Sequence, residues 1–312
     1  MNDKLIVSVS PHYHKQDAST QRVMLDVLIA LVPALVAGCL IFGMRSLLVV
    51  VISAANCALL ETVWNKLMKK TNTVEDLSAV VTGVLIAFNV PASMPIWQLL
   101  VGDFIAIIIV KMLFGGIGRN FVNPALVGRV TMMLSFTGSM TAYATNVAKV
   151  DVLSSATPLS VINDLKLADL GTLLLGRHGG MLGETCAVAL ILGGVYLVVR
   201  KVIKPTIPVC FAASVFVFTF LFNGFNAQAA LLSVFSGGLM LGAIFMATDY
   251  VTSPMTRKGQ IIFAVGCGFL TTCIRLFASS AEGVSFAILL MNLLVPYINE
   301  GTRTKPLGGV DA

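Results

Sequence analysis

Residues Leu77-Ser-Ala-Val-Val-Thr-Gly-Val-Leu-Ile-Ala-Phe-Asn-Val-Pro-Ala-Ser-Met-Pro95 form the stretch that decides the fold. The apolar run from Leu77 to Val90 is only 14 residues long, whereas a helix that crosses the hydrocarbon core of a membrane needs about 20. Prolines at positions 91 and 95 then interrupt it. Because unpaired backbone groups cannot face lipid, a short apolar segment that ends at proline predicts a half-helix whose broken end is buried in protein.

A second broken segment follows in the other half of the chain. The apolar run from Ala229 to Ala247 ends in Met246-Ala-Thr-Asp-Tyr-Val-Thr-Ser-Pro254. A shift of 163 residues places Pro91 on Pro254, and it superimposes a broken helix, a span and a polar turn in the same order. Five membrane segments in the first half leave the second half starting on the opposite side. The sequence therefore predicts two inverted five-helix repeats, about ten membrane helices in all.

The composition agrees with an all-α, polytopic membrane protein. Of 312 residues, 57% are hydrophobic and 12% are charged, and the mean hydropathy is +0.91, whereas soluble domains carry about 25% charged residues. The net charge of +6 does not indicate a nucleic-acid partner, because the basic residues cluster at the ends of apolar segments. Six cysteines lie in apolar segments without metal-ligand spacing, so we predict no metal site.

The distribution of Lys and Arg predicts the orientation in the membrane. Loops on the cytoplasmic side carry an excess of these residues. With the N-terminus inside, fifteen fall at cytoplasmic ends and five at outer ends, while Arg129 lies within a span. Both termini are then cytoplasmic. The five outer residues are Arg45, Lys149, Lys166, Arg177 and Arg275.

Three regions follow from this pattern. Residues 1–136 contain a cytoplasmic N-terminal arm and the first membrane repeat, and residues 183–312 contain the second repeat with a cytoplasmic tail. Between them, residues 137–182 form a polar break that we expect outside the membrane. Alternating leucines and polar residues from Leu159 to Leu174 predict a short amphipathic helix at the membrane surface.

A Gly-rich block precedes the last apolar segment of the first repeat. It reads Gly115-Gly-Ile-Gly-Arg-Asn-Phe-Val-Asn-Pro-Ala-Leu-Val-Gly-Arg129. Its glycines allow close backbone approach, and Arg119, Asn120 and Asn123 supply hydrogen-bonding groups at a helix start. A phosphate cradle has a similar pattern, but no Walker lysine follows. Arg129 needs a partner inside the membrane, and Asp103 is a candidate counter-ion.

The polar break contains Asp151-Val-Leu-Ser-Ser-Ala-Thr-Pro-Leu-Ser160. Pro158 biases Thr157 away from the helical region, so the Thr157 hydroxyl is expected on an extended or turn backbone that a modifying enzyme can approach. A helix cap or turn built from Ser and Thr is the alternative interpretation of the same residues.

These blocks together resemble one family. The chain is similar to the B subunits of Na⁺-pumping NADH:quinone reductases and the D subunits of Rnf ferredoxin:NAD⁺ oxidoreductases. Its stretch at 151–157 resembles the family's flavin-attachment motif Asp-x-x-Ser-Gly-Ala-Thr, with Ser155 in place of the usual Gly. The Gly-rich block and the Met-Ala-Thr-Asp block match family motifs almost residue for residue. On chain length the resemblance favours the D subunits.

The resemblance implies a flavin-carrying membrane subunit of a redox-driven ion pump in the bacterial inner membrane. It implies FMN esterified to Thr157 by a flavin transferase, with Asp151, Ser154, Ser155 and Ala156 around it. It also implies partner subunits that bear flavins and iron-sulfur clusters, and transport of Na⁺ or H⁺. A non-covalent riboflavin is implied nearer the cytoplasm, which we place at five residues: Arg119, Asn120, Asn123, Asp249 and Ser253.

Two other functions fit part of the sequence. A small-solute channel or secondary transporter would explain an inverted repeat with half-helices. A structural scaffold subunit would explain the hydrophobicity, but it leaves the intramembrane Arg129 and the polar breaks without a role. No residue is assigned a catalytic role, because the redox chemistry belongs to the flavin.

Overall fold

In the computed structural model of the protein, the described residues are 19–71, 73–142, 144–145, 153–154, 170–176, 179–184, 186–278 and 283–303. They form helices and one pair of two-residue antiparallel strands, β1 (Ala144–Thr145) and β2 (Leu153–Ser154). The α-helices are α1 (Thr20–Phe42), α2 (Met44–Leu67), α3 (Ser78–Phe88), α4 (Ile96–Phe104), α5 (Pro124–Ser135), α6 (Thr137–Met140), α7 (Leu170–Leu175), α8 (Ala187–Val199), α9 (Thr206–Phe222), α10 (Ala227–Phe235), α11 (Leu239–Leu241), α12 (Arg257–Phe277) and α13 (Val284–Gly301).

Two of these helices continue in π-helical geometry. Helix α4 runs on as a π-helix over Ile105–Met112, and α11 runs on over Gly242–Met246. A short 3₁₀-helix, Val74–Asp76, precedes α3. Wide π-turns inside helices are uncommon and often accompany functional sites.

The predicted all-α, polytopic membrane class is confirmed. Helices α1, α2, α12 and α13 are each long and apolar enough to cross a membrane, and α10 with α11 makes a fifth such segment that bends by 63°. Helices α3, α8 and α9 are shorter and apolar. Large hydrophobic side chains such as Leu40, Met44 and Val199 are exposed, as expected where a protein faces lipid. The count of ten segments and their inversion stay predictions, as do the three region boundaries.

The half-helix predicted at residues 77–95 is present. Helix α3 has 11 residues and ends at Phe88, before an irregular loop that runs to Pro95. Backbone carbonyls in such a loop have no helical partner and need other donors. The Arg45 side chain supplies them, because its Nη2 donates to Ser93 O at 3.2 Å and to Met94 O at 3.4 Å.

The break predicted at Met246–Pro254 is present, because the π-helix that continues α11 ends at Met246 and irregular backbone follows to Thr256. The segment Ala229–Ala247 is also interrupted earlier, at a point where the sequence did not predict a break. Helix α10 stops at Phe235 and α11 begins at Leu239. Gly237 between them has φ +66°, a conformation that glycine adopts without steric cost. Arg275 stabilises the turn, because its Nη1 donates to Ser233 O at 2.7 Å and its Nη2 to Ser236 O at 3.0 Å.

The elements of the two halves follow each other in the same order. Under the 163-residue shift, α1 to α5 correspond to α8, α9, the α11 segment, α12 and α13. The halves meet where α1 packs along α8 and α5 packs against α13. A Cβ on Gly193 would collide with Ala30 O, so this close crossing of α1 and α8 requires glycine. At one end of the same pair, Tyr196 Oη donates to Asp26 Oδ1 at 2.9 Å.

Helix α3 is too short to cross the membrane by itself, and its position is set by close packing against α2. A Cβ on Gly83 would lie 2.7 Å from Ser53 O and 2.8 Å from the Ala54 Cα atom. The two backbones are therefore in direct contact there. The faces of α3 that do not touch α2 are available to line an internal space.

Candidate functional site

A cavity of about 350 Å³ lies between the two halves. Its walls come from the first turns of α1, one face of α3, the loop before α5, the segment after α8 and the loop after α11. This volume falls in the range of small-molecule and cofactor sites, about 300–1,000 Å³. The lining is mostly apolar, with a few polar groups from each half, as is typical of such sites.

Asn123 and Pro124 build one wall of the cavity. Asn123 is the N-cap of α5, because its Oδ1 accepts hydrogen bonds from Ala125 N at 3.0 Å and Leu126 N at 3.4 Å. Pro124 occupies the first helical position, where a missing amide hydrogen costs nothing. The Asn123 Nδ2 donates across the cavity boundary to Met246 O at 3.3 Å. Asn123 therefore connects the two halves.

Asn292 of α13 strengthens the same junction. With its side-chain amide oriented to suit its surroundings, Nδ2 donates to Thr252 O at 3.1 Å and Oδ1 accepts from Asn123 N at 3.2 Å. Both backbone groups belong to irregular segments at helix ends. The positions of the two loops that line the cavity are thus tied to α13.

Asn120 presents an unused acceptor at the cavity. Its Oδ1 is buried, and no donor contacts it among the described residues. Leaving a buried amide oxygen unpaired costs about 1–3 kcal/mol. A ligand with an N–H or O–H group would remove this cost, so the residue fits a site that binds a polar ring system.

Asp249 lines the opposite wall, in the loop beyond the α11 segment. Its Oδ1 accepts from Val251 N at 3.4 Å, and its Oδ2 accepts from Thr252 Oγ1 at 3.0 Å. Burial is the largest influence on this carboxyl and raises its pKa, while these two hydrogen bonds act in the opposite direction.

A network of polar groups lies beside the cavity and consists of the buried Glu61, Lys111 and Ser78, the partly buried Asp76 and the exposed Thr73. Lys111 Nζ is 2.7 Å from Glu61 Oε2 and donates to Ser78 Oγ at 2.6 Å. Glu61 accepts from the Thr73 hydroxyl, and Ser78 Oγ is 2.5 Å from Asp76 Oδ1. Lys111 also lines the cavity, but its charge is balanced by Glu61, so the ammonium does not turn the cavity into an anion site.

The structure brings together three of the five residues predicted for the non-covalent flavin. Asn120, Asn123 and Asp249 line the cavity. Arg119 is exposed in the loop before α5, and Ser253 is partly buried beyond Asp249; neither lines the cavity. Thus two of the five predicted side chains lie outside it, because the loops turn these neighbouring residues in different directions.

The predicted covalent site lies mostly outside the described residues. Thr157, Asp151, Ser155 and Ala156 are not among them, whereas Ser154 belongs to β2 and pairs with Ala144 of β1. The amphipathic helix predicted over residues 159–174 falls there too, apart from the first residues of α7.

The counter-ion predicted for Arg129 is wrong. Arg129 Nη2 lies 3.0 Å from Glu184 Oε1, and Nη1 donates to Ser285 Oγ at 2.7 Å. Asp103 instead contacts Ser53 and Asn56 of α2. Arg129 and Asp103 lie in different surroundings because α4 and α5 turn these side chains to different faces.

Sequence reasoning missed several polar residues of the cavity. Ser78, Thr82, Lys111, Thr248 and Tyr250 all line it. Lys111 stands in the apolar run Ile-Val-Lys-Met, where the charge count places it at a cytoplasmic helix end. An isolated lysine in an apolar run is a signal that the side chain needs a buried acidic partner. The sequence does not identify that partner, because Glu61 lies 50 residues away and no local spacing connects the two.

The Gly-rich block and the Met-Ala-Thr-Asp block both line this cavity. Both blocks also lie within the part of the chain that matches one protein family. The sequence profile of the NQR2, RnfD, RnfE family matches residues 6–308, nearly the whole chain. The chain belongs to the NQR2, RnfD, RnfE family. Both motif blocks of the family can be located in the structure. The Gly-rich block forms the loop before α5 and the start of that helix. The Met-Ala-Thr-Asp block forms the end of the α11 segment and the loop after it.

Individual relatives in this family carry more specific names. The chain is 43% identical to the D subunit of the Na(+)-translocating ferredoxin:NAD(+) oxidoreductase complex of Acetobacterium woodii, over 99% of this chain and 97% of the relative. It is 39% identical to the D subunit of the proton-translocating ferredoxin:NAD(+) oxidoreductase complex of Clostridium ljungdahlii, over 97% and 96%. It is 34% identical to the D subunit of the ion-translocating oxidoreductase complex of Actinobacillus succinogenes, over 96% of both.

Proposed function

We propose that this chain is the D-type membrane subunit of an ion-translocating ferredoxin:NAD⁺ oxidoreductase complex. The observation that carries the proposal is the 43% identity, over 99% of the chain, to a subunit with that name. The internal cavity supports it, because the family's two motif blocks meet there and form a site of cofactor size. The ion named differs between two relatives, Na⁺ in one and protons in the other.

Within this function, we assign two flavin positions. FMN is attached through its phosphate to Thr157, placed there by a flavin transferase, and a riboflavin occupies the cavity between the halves. When bound, each flavin supplies one-electron and two-electron redox chemistry. The chain's own residues would hold and orient the rings: the unpaired Asn120 Oδ1 would accept a hydrogen bond from the riboflavin, and the apolar walls of α1 and α3 would exclude water.

The partners follow from the same proposal. A chain with flavins as its redox groups needs neighbouring subunits that deliver and remove electrons, so we assign flavin-bearing and iron-sulfur subunits as its partners. The cavity walls are neutral apart from Asp249 and the Glu61-balanced Lys111. This suits an uncharged flavin better than one that carries a phosphate group.

Gel fluorescence tests the covalent part of the proposal. The purified complex is denatured, separated by electrophoresis and viewed under ultraviolet light. We expect a fluorescent band at the position of this subunit, since an ester-linked flavin survives denaturation. A solute channel or a scaffold subunit would give no fluorescence in this band, and that result would contradict the proposal.

Replacement of Asn120 tests the non-covalent part. Asn120→Leu removes the unpaired acceptor and is expected to weaken riboflavin retention about 3- to 10-fold, the equivalent of one hydrogen bond of about 0.7–1.4 kcal/mol. Riboflavin released from the purified complex by denaturation is measured by chromatography. Arg119→Leu is the matched control, because Arg119 is adjacent but does not line the cavity. Equal losses in both variants would remove the flavin from this site.

Cysteine labelling tests the proposed orientation. In a background without the six native cysteines, Lys149→Cys and Lys166→Cys are expected to react with an impermeant maleimide on intact cells. Lys69→Cys and Lys201→Cys, both at exposed positions, should react only after permeabilisation. The excess of basic residues on one side demands this pattern. Labelling of position 149 only in permeabilised cells would reverse the topology and place Thr157 in the cytoplasm.

A further inference from the structure

Asp103 is a carboxyl group buried within the first half, separate from the flavin cavity. It lies in α4 with 0% of its surface exposed. Its neighbours are Ser53 and Asn56 of α2 and, through Ser53, the backbone of Gly83 in α3. An ionisable group in such a segment is costly and is usually kept for a function. Asp103 does not line the flavin cavity, so the proposed flavins do not account for it.

No basic side chain in the described part of the chain pairs with Asp103. Lys111, two turns further along the same continuous helix, is bound to Glu61 at 2.7 Å. Arg129 is bound to Glu184 at 3.0 Å. The other titratable group that faces Asp103 is the Cys57 thiol of α2, and the remaining contacts come from the neutral Ser53 and Asn56. A charged carboxylate would therefore be buried without a balancing cation.

The hydrogen bonds of Ser53 show how the cost of burying a charged carboxylate is avoided. Ser53 Oγ lies 2.7 Å from Asp103 Oδ1 and 2.8 Å from Gly83 O. Both distances are those of full, two-centre O–H···O bonds. A serine hydroxyl has one hydrogen, and a backbone carbonyl can only accept. If Asp103 were ionised, one of these two short contacts would join two oxygens with no hydrogen between them.

A proton on Asp103 satisfies every group in this set. The Asp103 Oδ1 hydroxyl then donates to Ser53 Oγ, and the Ser53 hydroxyl donates to Gly83 O. The Asn56 Nδ2 donates to the other carboxyl oxygen, Oδ2, at 3.0 Å. We infer that Asp103, Ser53 and Asn56 form a proton-binding site inside the membrane-spanning part of the first half. This inference does not depend on a flavin in the cavity.

The proton-binding site lies where the backbones of α2 and α3 are in direct contact. Gly83 approaches Ser53 so closely that a Cβ there would lie 2.7 Å from Ser53 O. The Ser53 hydroxyl is therefore kept against both the α3 backbone and Asp103. The other face of α3, with Ser78 and Thr82, lines the cavity. One short helix thus separates the proton site from the proposed flavin site.

Infrared spectroscopy of the purified complex tests the inference. In a difference spectrum, wild type minus Asp103→Asn, we expect a carbonyl stretch of a protonated carboxylic acid that shifts in heavy water. Asp103→Asn replaces the proposed acid with a group of the same shape and the same donor and acceptor, so the subunit should assemble. Asp76→Asn, in the same half, is the control and should leave the band in place. A pair of carboxylate bands in place of the acid band, as for an ionised or cation-bound Asp103, would overturn the inference.

A second variant keeps the test decisive if Asp103→Asn fails to accumulate. Ser53→Ala removes the acceptor of the proposed Asp103 hydroxyl while retaining the carboxyl. With isotope-labelled aspartate, the acid carbonyl band is expected to move to higher frequency, since the hydrogen bond that lowered it is lost. An unchanged band or bands of a carboxylate in this variant would contradict the assignment.

Discussion

Replacing Thr157 with alanine is expected to remove the covalent flavin completely while leaving the subunit in the membrane. The hydroxyl is the proposed site of the phosphoester, and alanine offers no atom to replace it. One side chain in a polar segment contributes little to the stability of a membrane-embedded fold, since surface substitutions usually change it by less than about 0.5 kcal/mol. Because electrons are proposed to pass through this flavin, ferredoxin-dependent NAD⁺ reduction is expected to be lost with it.

Mass spectrometry of the tryptic peptide 150–166 measures this directly. The wild-type peptide should carry the mass of FMN less water, and the alanine variant should not. Ser160→Ala is the matched control, because it removes a neighbouring hydroxyl from the same segment and should leave the flavin in place. Thr157→Ser retains a hydroxyl and should keep part of the flavin. An FMN adduct in the alanine variant would place the attachment at another residue.

Breaking the buried pair of Arg129 and Glu184 is expected to prevent assembly of the subunit. Their side chains are each about 2% exposed and their charged atoms lie 3.0 Å apart. Glu184→Leu removes the carboxylate from this buried guanidinium, and breaking a buried ion pair by removing one member costs about 3–5 kcal/mol. This is a large share of a typical folding free energy of about 5–15 kcal/mol. We expect little folded subunit in detergent by size-exclusion chromatography and a lowered melting temperature for what remains.

Two control variants distinguish the effect of breaking the Arg129–Glu184 ion pair from the effect of removing any carboxylate. Glu75→Leu removes an exposed acid outside the helical core and should behave as wild type. The double variant Arg129→Met, Glu184→Leu removes both charges, so no buried guanidinium is left facing the position of the lost carboxylate, and part of the stability should return. A double variant no better than Glu184→Leu alone would show that packing around Glu184, and not the ion pair, stabilises the junction.

Local features of the fold were accessible from the sequence. The half-helix α3 was predicted by a run too short to span and by two prolines, because length and backbone chemistry act on neighbouring residues. A helix start at the Gly-rich block was also predicted, and the structure has Asn123 as the N-cap of α5 with Pro124 as its first residue. In the second half, the break after Met246 was predicted, whereas the earlier turn between α10 and α11 was not, since that turn depends on the positive φ of Gly237 and on the distant Arg275.

The candidate site was predictable in part. Asn120, Asn123 and Asp249 stand in motif blocks that can be identified along the chain, and all three line the cavity. Arg119 and Ser253 stand in the same blocks but do not line it, because the direction of a side chain depends on backbone angles in irregular loops. Motif membership therefore identified the segments of the site, and it did not identify which side chains line the cavity.

The sequence by itself determined the class of protein, the segments that embed in the membrane and the helix breaks after Phe88 and Met246, because hydropathy and backbone restrictions are properties of consecutive residues. Only the tertiary structure decided which buried charges meet. Glu61 pairs with Lys111 and Glu184 pairs with Arg129 across 50 and 55 residues, while Asp103 is left with Ser53 and Asn56. Helix packing sets these partners, because a charge buried in a membrane protein interacts with whatever side chain the neighbouring helix places within a few ångströms.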